Sequence, residues 1–224
     1  MKPKVFLILI SLMFIVQTNI CAQNKKGELF RIARLKYSGG SDWYNDPSSE
    51  VNLLKYVSEH TSIKTLPQYV FVDASSSDIF NFPFLFATGH GNMRLTDEEV
   101  SNLRKYLLNG GFLYVDDDYG LDKYFRREIA RIFPNKKLKE LPYNYGLYQK
   151  PYKFPFGPPK THKHNGKPPQ GFGIFVNGKL AVYYTYESNP SDGWADADVH
   201  NDPPGKREEA LKFGVNLVLW SLTQ

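Results

Sequence analysis

The longest apolar runs in the mature part of the sequence are short, and each ends in polar or glycine residues. Residues 112–115 (FLYV) form one such run and residues 83–88 (PFLFAT) another. Runs of this length without a polar face are typical of strands in a parallel sheet that helices cover on both sides. Residues 30–37 (FRIARLKY), with apolar side chains on both parities, predict a third strand before the glycine-containing loop at 39–44.

Between these runs the apolar residues recur at helical spacing. We predict one helix that starts with Asp46 as N-cap and Pro47 as its first residue. A second helix starts at Thr96, where Thr96 and Glu99 have the spacing of a capping box. Two further amphipathic helices are predicted at residues 121–133 and 208–222.

The C-terminal part of the chain has a different pattern. Prolines and aromatic residues alternate between 141 and 170, which excludes a long helix and predicts an ordered loop. Residues 173–185 predict a hairpin with Asn177-Gly178 as its turn. Alternating strands and helices predict an α/β fold, a three-layer sandwich with a mostly parallel sheet and an antiparallel hairpin near the C-terminus. We predict that residues 23–224 form one domain.

The first 22 residues have the sequence pattern of a signal peptide. Lys2 and Lys4 precede an apolar run at 5–16, and Ala22 offers a small residue for cleavage. We therefore predict a signal peptide at residues 1–22, export to the periplasm or beyond the cell, and no stable transmembrane anchor, because the run is too short to span a bilayer. A lipoprotein would carry its lipid on Cys21, but the residues before it fit that processing poorly.

Cleavage after Ala22 would remove the only cysteine, so the mature chain would have no disulfide, thiolate ligand or cysteine nucleophile. It would also lower the formal charge from +5 to +3, because Lys2 and Lys4 are lost. Such a mild charge gives no support to nucleic-acid binding. The sequence contains neither a phosphate-binding P-loop nor a dinucleotide-binding glycine fingerprint, so neither class of nucleotide site is predicted.

Candidate site residues follow the predicted strands. In open α/β sheets ligands bind at the carboxyl ends of the strands. The strand at 112–115 is followed there by three aspartates, and His90 ends the neighbouring strand between two glycines. The loop after the first strand should reach the same crevice. The resulting candidates are Asp42, Trp43, Tyr44, His90, Asp116, Asp117 and Asp118.

Two interpretations of these residues remain open. If the backbone stays extended, Asp116 and Asp118 point the same way and can share a divalent cation with His90; such oxygen ligands suit Mg²⁺ or Ca²⁺, and no other cofactor is required. Alternatively, one aspartate caps the helix near Leu121 and another bonds loop backbone.

The loop residues offer similar pairs of interpretations. Trp43 and Tyr44 can stack on a sugar ring or pin their own loop by apolar burial. Three other histidines rank lower because no zinc-binding helix motif accompanies them. The basic, aromatic loop at 141–170 either forms a lid over an anionic or carbohydrate ligand or packs on the acidic segment at 187–209. The three lower-ranked histidines are His162, His164 and His200.

Several stretches together resemble the domain of unknown function 4159 family. They are RLKYSGGSDWY, FATGHG, GGFLYVDDDYG, HKHNGKPPQGFGI and REEALKFGVNLVLW. The resemblance covers nearly all of the chain after residue 22. It implies a sandwich like that of class I glutamine amidotransferases, or flavodoxin-like, and a place in the bacterial envelope. It implies no established activity.

The residues argue against amidotransferase chemistry itself. Those enzymes carry a cysteine on a strand-to-helix elbow, and Asp118 stands at the matching position here. No Gly-x-Ser-x-Gly motif offers a serine instead. Our leading hypothesis is a non-catalytic exported domain that binds a small molecule, a carbohydrate or a protein partner of the envelope. The alternative is a divalent-metal-dependent hydrolase of envelope or imported material, and a third possibility is a scaffold that uses its surface.

Overall fold

A computed structural model describes residues 29–224, so the predicted signal peptide at residues 1–22 lies outside the described part. The strands are β1 Ile32–Lys36, β2 Phe71–Asp73, β3 Phe84–Ala87, β4 Phe112–Asp116, β5 Lys139–Glu140, β6 Gln170–Val176 and β7 Lys179–Tyr186. The helices are α1 Ser49–His60, α2 Asp97–Leu108, α3 Asp122–Ile132, the short α4 Ala197–His200, and α5 Pro204–Thr223.

The strands form one seven-stranded sheet in the order β2-β1-β3-β4-β7-β6-β5. The neighbouring strands β2-β1-β3-β4-β7 all run parallel to one another. Strand β6 pairs antiparallel with both β7 and β5. The mostly parallel α/β sheet with an antiparallel C-terminal part is therefore confirmed. The predicted hairpin is present, with both turn residues, Asn177 and Gly178, at positive φ. One of its strands, β7, lies inside the parallel part beside β4 rather than at the margin.

The two faces of the sheet carry separate cores. Along β4, Phe112 and Tyr114 belong to the core that contains Leu53 of α1 and Phe213 of α5. Leu113 and Val115 belong to the other core, with buried residues of α2 and α3. Because successive strand residues point to opposite faces, this alternation puts helices on both sides of the sheet. The arrangement has three layers, as the apolar runs predicted.

The predicted start of one helix is correct and that of another is wrong. At α2 the capping box is present: the Thr96 hydroxyl accepts from the Glu99 amide, and the Glu99 carboxylate accepts from the Thr96 amide. The predicted start of α1 is wrong. Asp46 has φ 46° and precedes the helix, which starts at Ser49. The Asp46 carboxylate instead contacts His200, which lies far away in the sequence.

The proline- and aromatic-rich segment at 141–170 is mostly irregular and ordered against the body of the protein. Leu147, Tyr148 and Phe154 are buried in the core on the α1 and α5 side. Its end packs on the acidic segment, where the Lys160 ammonium lies 3.1 Å from the buried Glu187 carboxylate. This contact agrees with the interpretation that the loop packs on the acidic segment. Among residues 29–224 no helix has both the length and the apolarity to cross a membrane.

Candidate metal centre

A cavity of about 580 Å³ lies at the carboxyl end of the parallel strands. Loops after β1, β3, β4 and β7 contribute to its wall, as the general rule for open α/β sheets predicts. The end of the proline-rich segment closes it from another side. The lining residues are Asn45, Asp46, His90, Asp118, Tyr119, Thr161, His162, Lys163, His164, Asn189, Asp192, His200, Asp202 and Lys206.

Two histidines and one aspartate form the first ligand group in this cavity. His162, Asp192 and His200 each offer one ligand atom, and these atoms lie within 4.8 Å of one another. His162 Nδ1 is 2.7 Å and His200 Nδ1 is 3.8 Å from Asp192 Oδ2. Donor atoms that share one ion in a tetrahedron at bonds of about 2.0–2.2 Å are about 3.3–3.6 Å apart, which lies between these two distances. The group can therefore hold a metal ion with small movements.

Three aspartates form a second group that overlaps the first. Asp46, Asp118 and Asp192 also offer one oxygen each within 4.8 Å of one another. Asp118 and Asp192 are buried, and Asp46 is half-buried. The Asp192 carboxylate belongs to both groups, so the two sets of ligands are neighbours in one cavity.

Further side chains orient these ligands. His162 Nε2 lies 3.1 Å from Asp202 Oδ2, and His200 Nε2 lies 2.9 Å from Asp46 Oδ2. A carboxylate on one ring nitrogen fixes the tautomer of a histidine and leaves the other nitrogen free to bind a metal. Both histidines therefore direct Nδ1 toward Asp192, and His162 must give up a proton before that nitrogen can bind a metal.

A buried arginine, Arg34, holds the loop after β1 through hydrogen bonds to its carbonyl oxygens. The Arg34 guanidinium donates to the Trp43 and Asn45 carbonyl oxygens at 2.8 Å, and it pairs with Glu50 at 2.7 Å. Arg34 and Glu50 are almost completely buried. This contact fixes the backbone that carries Asp46 into the cavity.

His90 and Asp42 form a pair at the edge of the cavity. Asp42 Oδ1 accepts the His90 backbone N–H at 2.6 Å, and Asp42 Oδ2 lies 2.9 Å from His90 Nδ1. His90 Nδ1 is also 3.2 Å from Asp118 Oδ2. Burial alone would lower the pKa of His90, but the Asp118 charge and the Asp42 hydrogen bond outweigh it and raise that pKa.

The three successive aspartates separate into different environments. Only Asp118 lines the cavity, where it accepts hydrogen bonds from Asn45 and Asn189. The Asp116 carboxylate faces the Thr185 hydroxyl and the Ser191 amide instead. Asp116 and Asp118 therefore do not point into one crevice together, because the extended backbone ends at Asp116. Burial raises the pKa of Asp116 to about 7.

Asp117 caps the start of the helix near Leu121, which was the alternative to metal binding for these aspartates. Its Oδ1 accepts the Leu121 backbone N–H at 2.8 Å, just before α3 begins. Burial raises the pKa of Asp117 to about 7. Asp117 thus orders the start of the helix and lies outside the residues that line the cavity.

The aromatic residues of the first loop also divide. Trp43 is half-buried against the core, with its ring 5.4 Å from that of Phe71. Tyr44 contacts Trp43 edge-on and is 60% exposed. Trp43 therefore anchors the loop by apolar burial, which was one of its two interpretations. The Tyr44 side chain faces solvent beside the cavity residues Asn45 and Asp46.

Four site residues were ranked too low or passed over by the sequence reasoning. His162 and His200 had low rank, and Asp192 and Asp202 were not singled out. All four lie in irregular or very short segments, where no periodicity indicates which way a side chain points. The available signal was the opposite charge of the loop at 141–170 and the segment at 187–209, which the structure brings together.

The pKa values of Asp192 and His162 are shifted because the two side chains are close together and partly or fully buried. Burial raises the pKa of Asp192 to about 6; the His162 hydrogen bond opposes that shift, and the Asp118 charge adds to it. The Asp192 hydrogen bond raises the pKa of His162. His162 Nδ1 and Asp192 Oδ2 lie at hydrogen-bond distance, so a divalent cation that binds between them would displace the proton they share.

A comparison with family models covers most of the described chain. The family described as Domain of unknown function (DUF4159) matches residues 31–222. The comparison with curated proteins gives no match. The match includes every residue that lines the cavity, from Asn45 to Lys206. The fold and the cavity described above are thus those of a member of this family, and the chain belongs to the family Domain of unknown function (DUF4159).

Proposed function

We propose that this protein is a divalent-metal-dependent hydrolase whose metal is held by His162, Asp192 and His200. The observation that carries the proposal is the convergence of these three donors within 4.8 Å in a cavity of about 580 Å³. A mixed set of imidazole and carboxylate suits Zn²⁺ or Mn²⁺. Three protein ligands leave a coordination position for water, which is the pattern of catalytic rather than structural zinc sites.

The metal would supply two effects at the open position. When bound, it would polarise a carbonyl or phosphoryl oxygen of the substrate and would lower the pKa of a bound water. Asp202 and Asp46 support this role because they hold the outer nitrogens of the two histidine ligands. Such outer partners keep the ligands in place and raise their basicity.

His90 is the general acid–base candidate. The contact of Nδ1 with Asp42 leaves Nε2 as the nitrogen that exchanges a proton with water. Because the pKa of His90 is raised, its ring holds a proton that a leaving group can take. In the proposed reaction the oxygen of a water molecule forms a bond to the acyl carbon or phosphorus atom as the bond to the leaving group breaks. The leaving group takes the proton from Nε2, and the proton released by the attacking water returns the ring to its protonated form.

Two lysines among the lining residues can contact a negatively charged group of a substrate, although four aspartates line the same cavity. Lys163 and Lys206 lie there, and Lys206 donates to the Thr161 carbonyl oxygen at 2.8 Å. Tyr119 is 51% exposed and adds an aromatic surface. We therefore propose an anionic ester, amide or phosphate ester as the class of substrate.

Export by the signal peptide is part of the proposal. The basic, apolar and small residues of positions 2–22 support it, and an envelope or imported compound would then be the substrate. N-terminal sequencing of the protein from the periplasm or medium tests this point. A mature chain that begins at Gln23 is expected, and a chain that keeps residues 1–22 inside the cell would contradict export.

The test of the activity is a metal-depletion experiment. The full mature protein is stripped with a chelator and assayed on 4-nitrophenyl acetate, 4-nitrophenyl phosphate and bis(4-nitrophenyl) phosphate, before and after addition of Zn²⁺ or Mn²⁺. We expect hydrolysis of at least one substrate that depends on added metal and is lost in His162→Ala. His60→Ala is the matched control, because His60 is exposed and stacks on Tyr56 outside the lining of the cavity. Activity that survives both chelation and His162→Ala would contradict the proposal.

A further inference from the structure

We propose that Asp46, Asp118 and Asp192 hold a second divalent cation, and that the Asp192 carboxylate bridges it to the first. This inference rests on the proposed function, since it needs the first metal at His162, Asp192 and His200. It makes the cavity a two-metal centre with one ion in a mixed nitrogen and oxygen site and one in an oxygen site.

The charge of the second group favours a bound cation. Within residues 29–224 neither a lysine nor an arginine forms a salt bridge with Asp46, Asp118 or Asp192, and histidines are their only basic partners. Asp118 and Asp192 are each about 4% exposed. Buried carboxylates that lie this close together need a positive charge to offset their desolvation and mutual repulsion. The histidines that face these carboxylates can supply part of that charge, and a divalent cation at the point where the three oxygens converge would supply the rest.

Asn189 beside these aspartates has an unpaired oxygen. This residue is 1% exposed and lines the cavity. Its Nδ2 donates to Asp118 Oδ1 at 2.9 Å and to Asp192 Oδ2 at 2.6 Å, so its amide group lies between two of the three aspartates. Its Oδ1 is buried and has no hydrogen-bond partner.

A buried polar oxygen without a partner is rare in native proteins, and a missing ion is one of its recognised explanations. Amide and carboxylate oxygens are both normal ligands of hard cations such as Mg²⁺, Mn²⁺ and Ca²⁺. A 180° flip of the Asn189 amide exchanges Nδ2 and Oδ1, and the flipped Oδ1 would face Asp118 and Asp192 as a further oxygen ligand.

The bridge follows from the overlap of the two groups. Asp192 belongs to both, and its Oδ2 already lies 2.7 Å from His162 Nδ1 and 3.8 Å from His200 Nδ1. In two-metal hydrolytic sites the ions are about 3.5–4 Å apart and clamp the attacking and leaving oxygens of the substrate. The second ion would therefore act on the same substrate as the first.

The test uses Mn²⁺ as the probe with the full mature protein. After equilibration with Mn²⁺ and removal of free ion, we expect two equivalents of metal and an electron paramagnetic resonance spectrum of a spin-coupled pair. In Asp118→Asn we expect one equivalent and the six-line spectrum of an isolated ion, because Asp118 belongs to the second group only. Asp117→Asn is the matched control: it is a buried neighbour with the same change, and it is expected to keep two equivalents and the coupled spectrum.

The outcomes separate the two proposals. One equivalent in the wild type, unchanged in Asp118→Asn, would overturn the second site and leave the proposed function standing. Two equivalents without spin coupling would overturn the bridge by Asp192. Absence of bound Mn²⁺ and Zn²⁺ would overturn both proposals. If Asp118→Asn does not fold, the stoichiometry and spectrum of the wild type decide the question without the variant.

Discussion

His162 Nδ1 lies 2.7 Å from Asp192 Oδ2, although one residue comes from the proline-rich segment before the hairpin and the other from the loop after it. The hairpin of β6 and β7 brings these segments back to the same edge of the sheet. His200 joins the pair from α4. The candidate metal ligands are therefore set by tertiary structure in which β7 places its C-terminal end beside that of β4.

Removal of the buried guanidinium of Arg34 should destabilise the protein. Arg34→Met leaves the Glu50 carboxylate buried without its partner, which costs about 3–5 kcal/mol in comparable sites. Urea denaturation followed by circular dichroism measures this loss. A change below about 1 kcal/mol would mean that the ion pair contributes little.

The double variant Arg34→Met, Glu50→Leu separates stability from site geometry. Without either charge much of the stability should return, because no unpaired buried ion remains. Metal affinity should stay reduced, since the Trp43 and Asn45 carbonyl oxygens still lack their donor and the loop that carries Asp46 is less fixed. Affinity equal to that of the wild type would show that Arg34 does not position the loop.

His90→Ala should separate catalysis from metal binding. Loss of a general acid–base group lowers kcat by about 10²–10⁴-fold. The metal content should stay as in the wild type, because His90 belongs to neither ligand group. Turnover of the substrate found in the metal-depletion assay and metal analysis of the same sample check both statements. An unchanged kcat would remove His90 from the mechanism.

The stability of the protein should depend on pH through Glu187. Burial would raise the pKa of this carboxyl, but hydrogen bonds from Asn165 and Lys160 outweigh it and hold the pKa below 4.5. A lowered pKa in the folded state gives stability that is present above pH 4.5 and lost as the pH falls through the folded value. Glu187→Gln lacks this contribution.

The free energies of unfolding of the wild type and Glu187→Gln should therefore differ most near neutral pH. We expect about 1.5–3 kcal/mol at pH 7, the size of hydrogen bonds to a charged group, and a smaller difference at pH 3. Urea titrations at the two pH values give the comparison. A difference that grows toward acid pH would contradict the sign of this argument.

The capping box of α2 gives a prediction that came from the sequence alone. Thr96→Ala should lower the free energy of unfolding by about 0.5–2 kcal/mol, because the Glu99 amide loses its acceptor. Thr96→Ser keeps the hydroxyl and is the matched control. Thermal denaturation of both variants measures the difference, and equal stabilities would show that the cap contributes nothing.

Local signals predicted the fold well. The runs at β3 and β4 needed only composition and length, and the capping box at Thr96 needed only its spacing. Strand β2 was not predicted, because the three residues Phe71–Asp73 are too few to show a period. Asp46 was misjudged because its carboxylate is taken by His200, a partner that local rules do not include.

The site was only partly predictable, for a related reason. The strand-end rule located Asp118 and His90 correctly at the cavity, because the positions of strand ends follow from the topology. It also suggested that Asp116 shares their direction, which fails because Thr185 and Ser191 bind that carboxylate. His162, Asp192 and His200 come from segments without periodicity, so their meeting depends on contacts that only the folded chain reveals.

The most direct test of the metal centre is a calorimetric titration of the chelator-treated, full mature protein with Zn²⁺ at pH 7, beside Asp192→Asn. Asp192 belongs to both ligand groups, so its substitution should affect every bound ion. We expect stoichiometric binding of Zn²⁺ by the wild type and loss of that binding in a folded Asp192→Asn. A wild type that binds no divalent cation, or an Asp192→Asn variant that binds it equally well, would contradict the assignment of this cavity as a metal centre.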